Sequence, residues 1–400
     1  MTKRAVRVGG PLLGALLFVG LTAWCVNRFW PRHLAFVPEP VLPVCEVSRE
    51  GTAVRVPGRF FVAEIGRFED ELFAYLIFDY FRGVKAFKGT EVVLTYIREE
   101  DSIAYPLSLL MPDDLLVGIP MLAKLQAENW FPDFTWRVAD KRVLDEMRRQ
   151  SETFVTAYSF PAYRKLEHLT RRELTQYTRR FVRFKSTVDP RARRQLALFP
   201  GPLDRAQAQR LAEDIVTVAD FFSLPLDLFL GIGAMENNYI NINGDIGNAI
   251  WKRKAEKGDV VLKRDGGRVL VLNESVGVWQ ITRETLRYAH RLYLADKRDY
   301  SRLPERLRPP KILNLDDIDP AVLTTYAGLF FRNLMDRLGG DVPRAVGAYN
   351  GGPGRPNMQY EAGVRTAAEH ARRVMERAAA LNGQPVAEMR FLSSLRSRGQ

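Results

Sequence analysis

The chain has 400 residues, which is long for one hydrophobic core and predicts two domains with additional segments. Hydrophobic residues make up 46% of it, which is ample for globular folding rather than disorder. The formal net charge of +12 and the pI of about 9.7 favour anionic partners, such as a membrane surface or an acidic polymer. The basic residues are spread from Arg82 to Arg398 without a nucleic-acid-binding motif. A generally basic surface is therefore the simplest explanation, and nucleic acid is not an expected partner.

The N-terminus predicts a membrane anchor. Residues 1–7 are basic, and residues 8–27 carry no charge, which is about the length of a helix that crosses a bilayer core. We therefore predict a transmembrane helix at residues 8–30. A cleaved signal peptide is the alternative, although no A-x-A cleavage site follows the apolar segment. A lipoprotein signal at Cys25 is disfavoured, because Trp24 stands where a small residue is expected.

The next two segments are less informative. Residues 31–58 contain five prolines and predict a semi-extended stalk. Residues 59–200 predict a mixed or helical domain of no recognised family, with strand character at residues 91–97. The many basic residues from Arg142 to Lys185 indicate either the solvated faces of amphipathic helices or a surface for membrane phosphates or an acidic polymer.

Residues 203–382 predict a mainly helical domain, followed by a basic tail at residues 383–400. One helix, from Leu228 to about Asn238, is apolar except at its C-terminal end, as is typical of a core helix. It would bring Glu236 to the edge of the core, where partial desolvation favours a protonated carboxyl group.

Local sequence signals predict two helix starts and one β-hairpin within residues 203–382. Thr282 predicts the start of one helix and Asp319-Pro320 the start of another, and the last helix is expected from about Arg365 to Leu381. Within residues 242–272, two β-branched runs flank Asp265-Gly266-Gly267 and predict a β-hairpin.

Three ordered motifs carry the functional prediction: Glu236 at the end of an apolar helix, GVWQI at residues 277–281, and AYNGGPG at residues 348–354. Together they resemble the lysozyme-like domain of the soluble-lytic-transglycosylase family, whose pattern is a helical Glu, GLMQI and AYNAGPG. The resemblance covers roughly residues 224–380. The chain departs from it at Gly351, where the family has Ala, and through residues 242–272, an apparent insertion.

Two further departures concern single residues. Trp279 stands where the family has Met, and Asn237 stands where the family has a Ser after its Glu.

The resemblance implies an α+β, mainly helical fold: a lysozyme-like C-terminal domain with an inserted hairpin, behind a membrane helix and an unassigned domain. It implies a murein lytic transglycosylase, which breaks the MurNAc–GlcNAc bond without water and leaves a 1,6-anhydro sugar. Glu236 would be the single catalytic acid and base. The matched motifs contain no second carboxylate; Asp245, Glu274 and Glu284 lie near them in sequence only.

The resemblance also implies substrate contacts. Gln280, Tyr349 and Asn350 would meet the glycan or hold the local loops. Trp279 would either stack on a sugar face or fill the core. The expected location is the bacterial inner membrane, with the catalytic domain in the periplasm or otherwise outside the membrane and peptidoglycan as the partner.

Alternatives remain at this point. A hydrolytic muramidase or a non-catalytic glycan-binding envelope scaffold could use the same fold. The basic hairpin residues Lys263, Arg264 and Arg268 indicate either a peripheral elaboration or a substrate-facing flap. We expect neither a metal nor a cofactor, because the four histidines are scattered and no phosphate-binding or dinucleotide motif occurs.

Overall fold

The computed structural model describes residues 59–83, 90–99, 102–111, 135–159, 164–193, 200–244 and 247–381, with short pieces at 46–47, 54–55, 120, 123 and 386. The predicted anchor at residues 8–30, most of the stalk and nearly all of the basic tail lie outside these ranges. Within them, no helix combines the length and the apolar character needed to cross a membrane.

The first half of the chain forms an antiparallel sheet with helices on both of its faces. A short ribbon pairs β1 (Glu46–Val47) with β2 (Val54–Arg55). The sheet contains β3 (Arg59–Phe68), β4 (Glu91–Leu94), β5 (Ile97–Arg98), β6 (Ile103–Met111) and β7 (Thr135–Asp140). Its order is β4-β6-β3-β7, and β5 pairs with β6. The strand predicted at residues 91–97 is therefore confirmed, as two short strands.

Alternation along β3 divides the apolar side chains between two cores. Phe61, Ala63 and Ile65 face the main core, whereas Val62 belongs to a small core on the other face with Leu144. This is the period of two that a strand imposes on side-chain direction.

The helices of this half are α1 (Glu71–Gly83), α2 (Lys141–Ser159), α3 (Arg171–Val188) and the short α4 (Pro190–Arg193). A capping box fixes the start of α3, since the Thr170 side chain accepts from Glu173 N and the Glu173 carboxylate accepts from Thr170 N.

The second half is mainly helical, as predicted. Its helices are α5 (Arg205–Phe221), α6 (Leu226–Asn237), α7 (Arg283–Ala295), α8 (Pro320–Arg337), α9 (Val342–Gly351) and α10 (Met358–Ala380). Thr282 caps α7 and Asp319 caps α8, with Pro320 at its first position, so both predicted starts are confirmed. The prediction for α10 was wrong at its N-terminus, because Asn357 caps the helix and its first residue, Met358, lies seven residues before Arg365.

Residues 242–272 form a small antiparallel sheet of β8 (Ala249–Lys252), β9 (Val261–Asp265) and β10 (Arg268–Leu272), in the order β8-β10-β9. The predicted hairpin is confirmed, with φ of +52° at Gly266 and +74° at Gly267 in its turn. The strand β8 was not predicted.

A partly buried ion network fastens this sheet to α7. Lys252 Nζ lies 2.6 Å from Glu284 Oε1 and 3.2 Å from Asp259 Oδ2. Arg287 donates to the same Asp259 at 2.6 Å, and the Asp259 side chain is only 3% exposed. Burial alone would raise the pKa of Asp259, but its hydrogen bonds and the two cations lower it below the usual value. The base of the inserted sheet is therefore fixed to the domain.

One core runs through both halves of the chain. Helix α3 packs against α5 and α10, and buried side chains from Phe61 to Met375 belong to one apolar cluster. The boundary predicted near residues 200–203 thus separates two sequence segments that share a core. Residues of the first half can therefore reach a site in the second.

Candidate functional site

Glu236 lies in the last turn of α6 and is partly buried. The helix reaches this place through close packing on α10: a Cβ at Gly231 would lie 2.5 Å from Val364 O. At Gly233, a Cβ would lie 2.5 Å from the ring of Tyr239. Glycine at position 231 lets the backbones of α6 and α10 approach, so the carboxyl group of α6 comes close to the start of α10, and glycine at position 233 makes room for the Tyr239 ring.

Tyr360 is the hydrogen-bond partner that this packing brings to the carboxyl group. Its hydroxyl donates to Glu236 Oε1 at 2.6 Å, although the two residues are 124 positions apart. Burial, and then the neighbouring Glu236 carboxylate, raise the pKa values of Tyr349 and Tyr360 well above the usual value. Both phenols therefore keep their protons and act as donors at neutral pH.

The backbone directly after Glu236 is strained. Asn238 ends α6 with a left-handed φ of +46°, which Asn adopts more readily than most residues, but Tyr239 has a φ of +63°, which bulky residues rarely adopt. The strain is held by contacts: Tyr239 Oη donates to Leu230 O at 2.6 Å, and Asn238 Nδ2 donates to Asp189 Oδ2 at 2.9 Å. Strain that the surroundings maintain is common at functional sites.

The GVWQI motif forms a tight loop between β11 (Ser275–Val276) and β12 (Ile281–Thr282). Gly277 has φ of +70°, and a Cβ there would lie 2.6 Å from Leu323 Cδ1, which explains the glycine.

Gln280 also has a positive φ, +46°, and its amide nitrogen donates to Ile242 O at 2.9 Å and to Gly277 O at 2.7 Å. Its amide oxygen accepts from Ser275 Oγ at 2.9 Å. Gln280 lies on the wall of the site, but both of its N–H donors are used to hold the loop.

Trp279 is fully buried. Its ring stacks on Phe229 with centroids 4.3 Å apart, and its indole N–H donates to Thr324 Oγ1 at 2.9 Å. The prediction that Trp279 contacts substrate by stacking on a sugar was wrong, because the apolar packing of α6 and α8 covers the ring. Of the two interpretations, the core residue is the one that the structure shows.

The AYNGGPG motif forms the end of α9 and the turn that leads to α10. Tyr349 Oη donates to Trp279 O at 3.2 Å, and Asn350 Oδ1 accepts from Asn357 Nδ2 at 2.9 Å. A Cβ at Gly351 would lie 2.9 Å from Asn357 N, so the glycine lets the turn fold back closely on the helix. Since Asn357 caps α10, this turn also positions Tyr360.

These elements surround a cleft of about 540 Å³. Tyr349 and Phe330 line it, and the other polar side chains on its wall are those of Arg191, Glu236, Asn248, Ser275, Gln280, Thr282, Thr285 and Asn350. Among the described lining residues, Glu236 alone has a carboxyl side chain and Arg191 alone has a cationic one.

Arg191 comes from α4, in the first half of the chain. Its guanidinium donates to Asp189 at 3.0 Å and 2.8 Å through two nitrogens, and its side chain is 37% exposed. Burial alone would raise the pKa of Asp189, but the hydrogen bonds from Arg191 and Asn238 lower it below the usual value. An ionised, buried carboxylate thus holds a cation at the edge of the cleft.

Two other acidic residues near the motifs, Glu274 and Glu284, lie outside the cleft. Glu274 is 3.6 Å from Arg283, Glu284 is paired with Lys252, and neither lines the cleft. Asp245 lies outside the described residues.

The basic side chains of the hairpin do not line the cleft either. Lys263, Arg264 and Arg268 are exposed on β9 and β10, and the described lining residues from the insertion are Gly244 and Asn248.

Sequence reasoning missed Tyr360, Arg191 and Asn248. Tyr360 follows AYNGGPG closely, and its position in the first turn after a possible Asn cap was the available signal. Arg191 lies in a segment without a recognised motif. The described residues contain no group of three or more His, Cys, Asp or Glu side chains suited to a metal ion. Comparisons of the chain with protein families, with curated proteins and with solved structures find no match.

Proposed function

We propose that the chain is a peptidoglycan lytic transglycosylase that breaks the MurNAc–GlcNAc bond at Glu236. The observation that carries the proposal is one partly buried carboxyl group, held by Tyr360, in a cleft whose walls come from all three sequence motifs. The finer assignment of a lysozyme-like fold to residues 203–382 rests on the order of these motifs and belongs to the same proposal.

The presence of one carboxyl side chain among the described lining residues favours this chemistry over ordinary hydrolysis. Retaining and inverting glycosidases commonly use two carboxyl groups that flank the scissile bond. The described lining of this cleft has one. A reaction in which the substrate supplies its own nucleophile needs one proton donor that later accepts a proton, and Glu236 suits both steps.

In the proposed reaction, protonated Glu236 gives its proton to the glycosidic oxygen as the bond to the MurNAc anomeric carbon breaks. The N-acetyl group of the sugar stabilises the positive charge at that carbon. The 6-hydroxyl of the same sugar then attacks the carbon, and the Glu236 carboxylate takes the hydroxyl proton. The bond broken is replaced by the 1,6-anhydro bond, no water is consumed, and Glu236 ends protonated as it began.

The surrounding side chains have separate tasks in this proposal. The Tyr360 hydroxyl stabilises the negative charge that develops on Glu236 as it gives up its proton. Asn248 and Asn350 offer amide groups to sugar hydroxyls or acetamido groups. Arg191 attracts the carboxylates of the stem peptides. Gln280 shapes the wall through its three hydrogen bonds.

We further propose that the chain acts outside the bacterial inner membrane, anchored by the apolar segment at residues 8–30. The net charge of +12 supports attraction to both anionic membrane and anionic peptidoglycan.

Product analysis tests the reaction. The full chain is incubated with purified sacculi, and the soluble fragments are identified by mass spectrometry. The proposal predicts 1,6-anhydro-muropeptides. Products with only reducing ends would instead show a hydrolytic muramidase, and binding to sacculi without any product would show a glycan-binding scaffold.

A further inference from the structure

A second cavity, with a volume of about 670 Å³, lies in the first half of the chain and shares no lining residue with the Glu236 cleft. Its lining contains five arginines, which are Arg67, Arg179, Arg180, Arg183 and Arg205. It contains only three acidic residues, Glu69, Asp70 and Glu71. Tyr105, Tyr158 and Gln176 add polar groups. The excess of positive charge is therefore concentrated in one concave place.

The sequence of α3 creates this concentration. Arg179, Arg180 and Arg183 stand within about one helical turn of each other, so their side chains can converge on the same cavity. Arg205, in the first turn of α5, faces them from the neighbouring helix. A cation in the first turn is unfavourable for a helix dipole, so helix stability does not explain its position.

Three of the five arginines are paired, Arg67 with Glu64 at 2.8 Å and both Arg179 and Arg180 with Asp70. Asp70 accepts from Arg180 at 2.8 Å and from Arg179 at 3.3 Å, so one carboxylate serves two guanidiniums. Glu71 accepts from Tyr158 at 3.2 Å, and Glu69 is exposed.

Two of the arginines have no ion pair among the described residues. Arg183 lies 4.3 Å above the ring of Phe73, and Arg205 is exposed at the rim. Burial lowers the pKa of Arg179 and of Arg183, and neighbouring guanidiniums lower both further. Asp70 opposes this at both arginines, and Asp204 and Glu69 oppose it at Arg183 without restoring the usual value. A negative charge in the cavity would relieve the repulsion between the guanidiniums.

We propose that this cavity binds a phosphate-bearing ligand, with Arg183 and Arg205 contacting the phosphate oxygens. Guanidinium groups are suited to phosphate, since their planar donors form paired, charge-assisted hydrogen bonds. A volume of about 670 Å³ exceeds what phosphate alone needs and leaves room for an attached organic group. The site stands independently of the function proposed for Glu236.

Calorimetric titration of the full chain with inorganic pyrophosphate tests the site. Arg183→Ser and Arg205→Ser should each weaken binding roughly 10-fold or more, as expected for the loss of a charge-assisted hydrogen bond. Arg172→Ser and Arg210→Ser are the matched controls, because these arginines lie exposed on the same two helices, α3 and α5, outside the cavity lining. They should leave binding within about twofold. Melting curves verify that each variant folds. Because Arg205 is exposed, we expect Arg205→Ser to keep the wild-type melting temperature.

A second arm identifies the source of the phosphate. A short-chain phosphatidic acid, used as a monomer, is titrated in the same way: tighter binding than pyrophosphate supports a lipid headgroup, and weaker binding supports a soluble phosphate compound. Citrate tests whether any polyanion suffices. The proposal is overturned if neither phosphate probe binds, if citrate binds as well as they do, or if the control variants weaken binding as much as the cavity variants.

Discussion

Replacing Tyr360 by Phe removes one hydroxyl group and leaves the ring in place. The ring is 7% exposed and sits in the first turn of α10, so the apolar packing is kept. What is lost is the hydrogen bond of 2.6 Å to Glu236 Oε1, the contact that orients the proposed acid.

The magnitude follows from the type of bond. A hydrogen bond to a charged group contributes about 1.5–3 kcal/mol. If this bond strengthens as Glu236 becomes a carboxylate, its loss slows the reaction roughly 10- to 100-fold. The variant should also stay active to higher pH than the wild type, because the hydroxyl no longer favours the carboxylate over the protonated form.

The assay is the initial rate of anhydro-muropeptide release from sacculi, measured from acidic to alkaline pH. Tyr326→Phe is the control, since Tyr326 is fully buried and its hydroxyl lies 2.8 Å from His290 Nδ1, in the core. Both variants should lose a similar, small amount of stability, but only Tyr360→Phe should change the rate. A Tyr360→Phe variant with a wild-type rate and pH profile would refute the role assigned to this hydroxyl.

Three further predictions concern charged groups. Asp259→Ala should destabilise the fold by about 2 kcal/mol, because it removes the most buried carboxylate of the ion network and leaves Lys252 and Arg287 only the more exposed Glu256 and Glu284. Asp265→Ala at the exposed hairpin should cost less than about 1 kcal/mol, and urea unfolding measures both variants. Burial and nearby cations lower the pKa of His370 to about 4 in the folded chain. As the pH falls, the unfolded chain therefore binds a proton at His370 before the folded chain does, and the free energy of unfolding falls by at most about 3 kcal/mol between pH of about 6.5 and 4. His370→Gln should flatten this part of the curve of unfolding free energy against pH. Arg191→Gln should weaken binding to sacculi at low salt more than at high salt. Arg344→Gln, which changes an exposed arginine outside the cleft, should leave binding unchanged. Equal effects of the two variants in pelleting assays would contradict the role of Arg191.

Local signals in the sequence predicted the elements whose causes are local. The caps at Thr282 and Asp319 and the turn at Gly266-Gly267 depend on hydrogen bonds or φ values within a few residues, and all three occur as expected. The end of α6, at Asn237, was also predicted within one residue, because the helix is apolar throughout its buried length.

Contacts between segments distant in sequence could not be predicted from local sequence signals. Tyr360 meets Glu236 only because Gly231 lets α6 and α10 approach, and no periodicity records that approach. Arg191 reaches the cleft because both halves of the chain share one core. For Trp279 the sequence left two roles open, a sugar contact or a core position, and packing on Phe229 places it in the core.

The most direct test of the central claim is the rate of anhydro-muropeptide release by Glu236→Gln. Gln has the size of Glu and can still accept from Tyr360, but it has no proton to give to the leaving oxygen. We expect a rate roughly 100- to 10,000-fold below that of the wild type, with an unchanged melting temperature and retained binding to sacculi. A folded Glu236→Gln variant that releases these products at the wild-type rate would contradict the account.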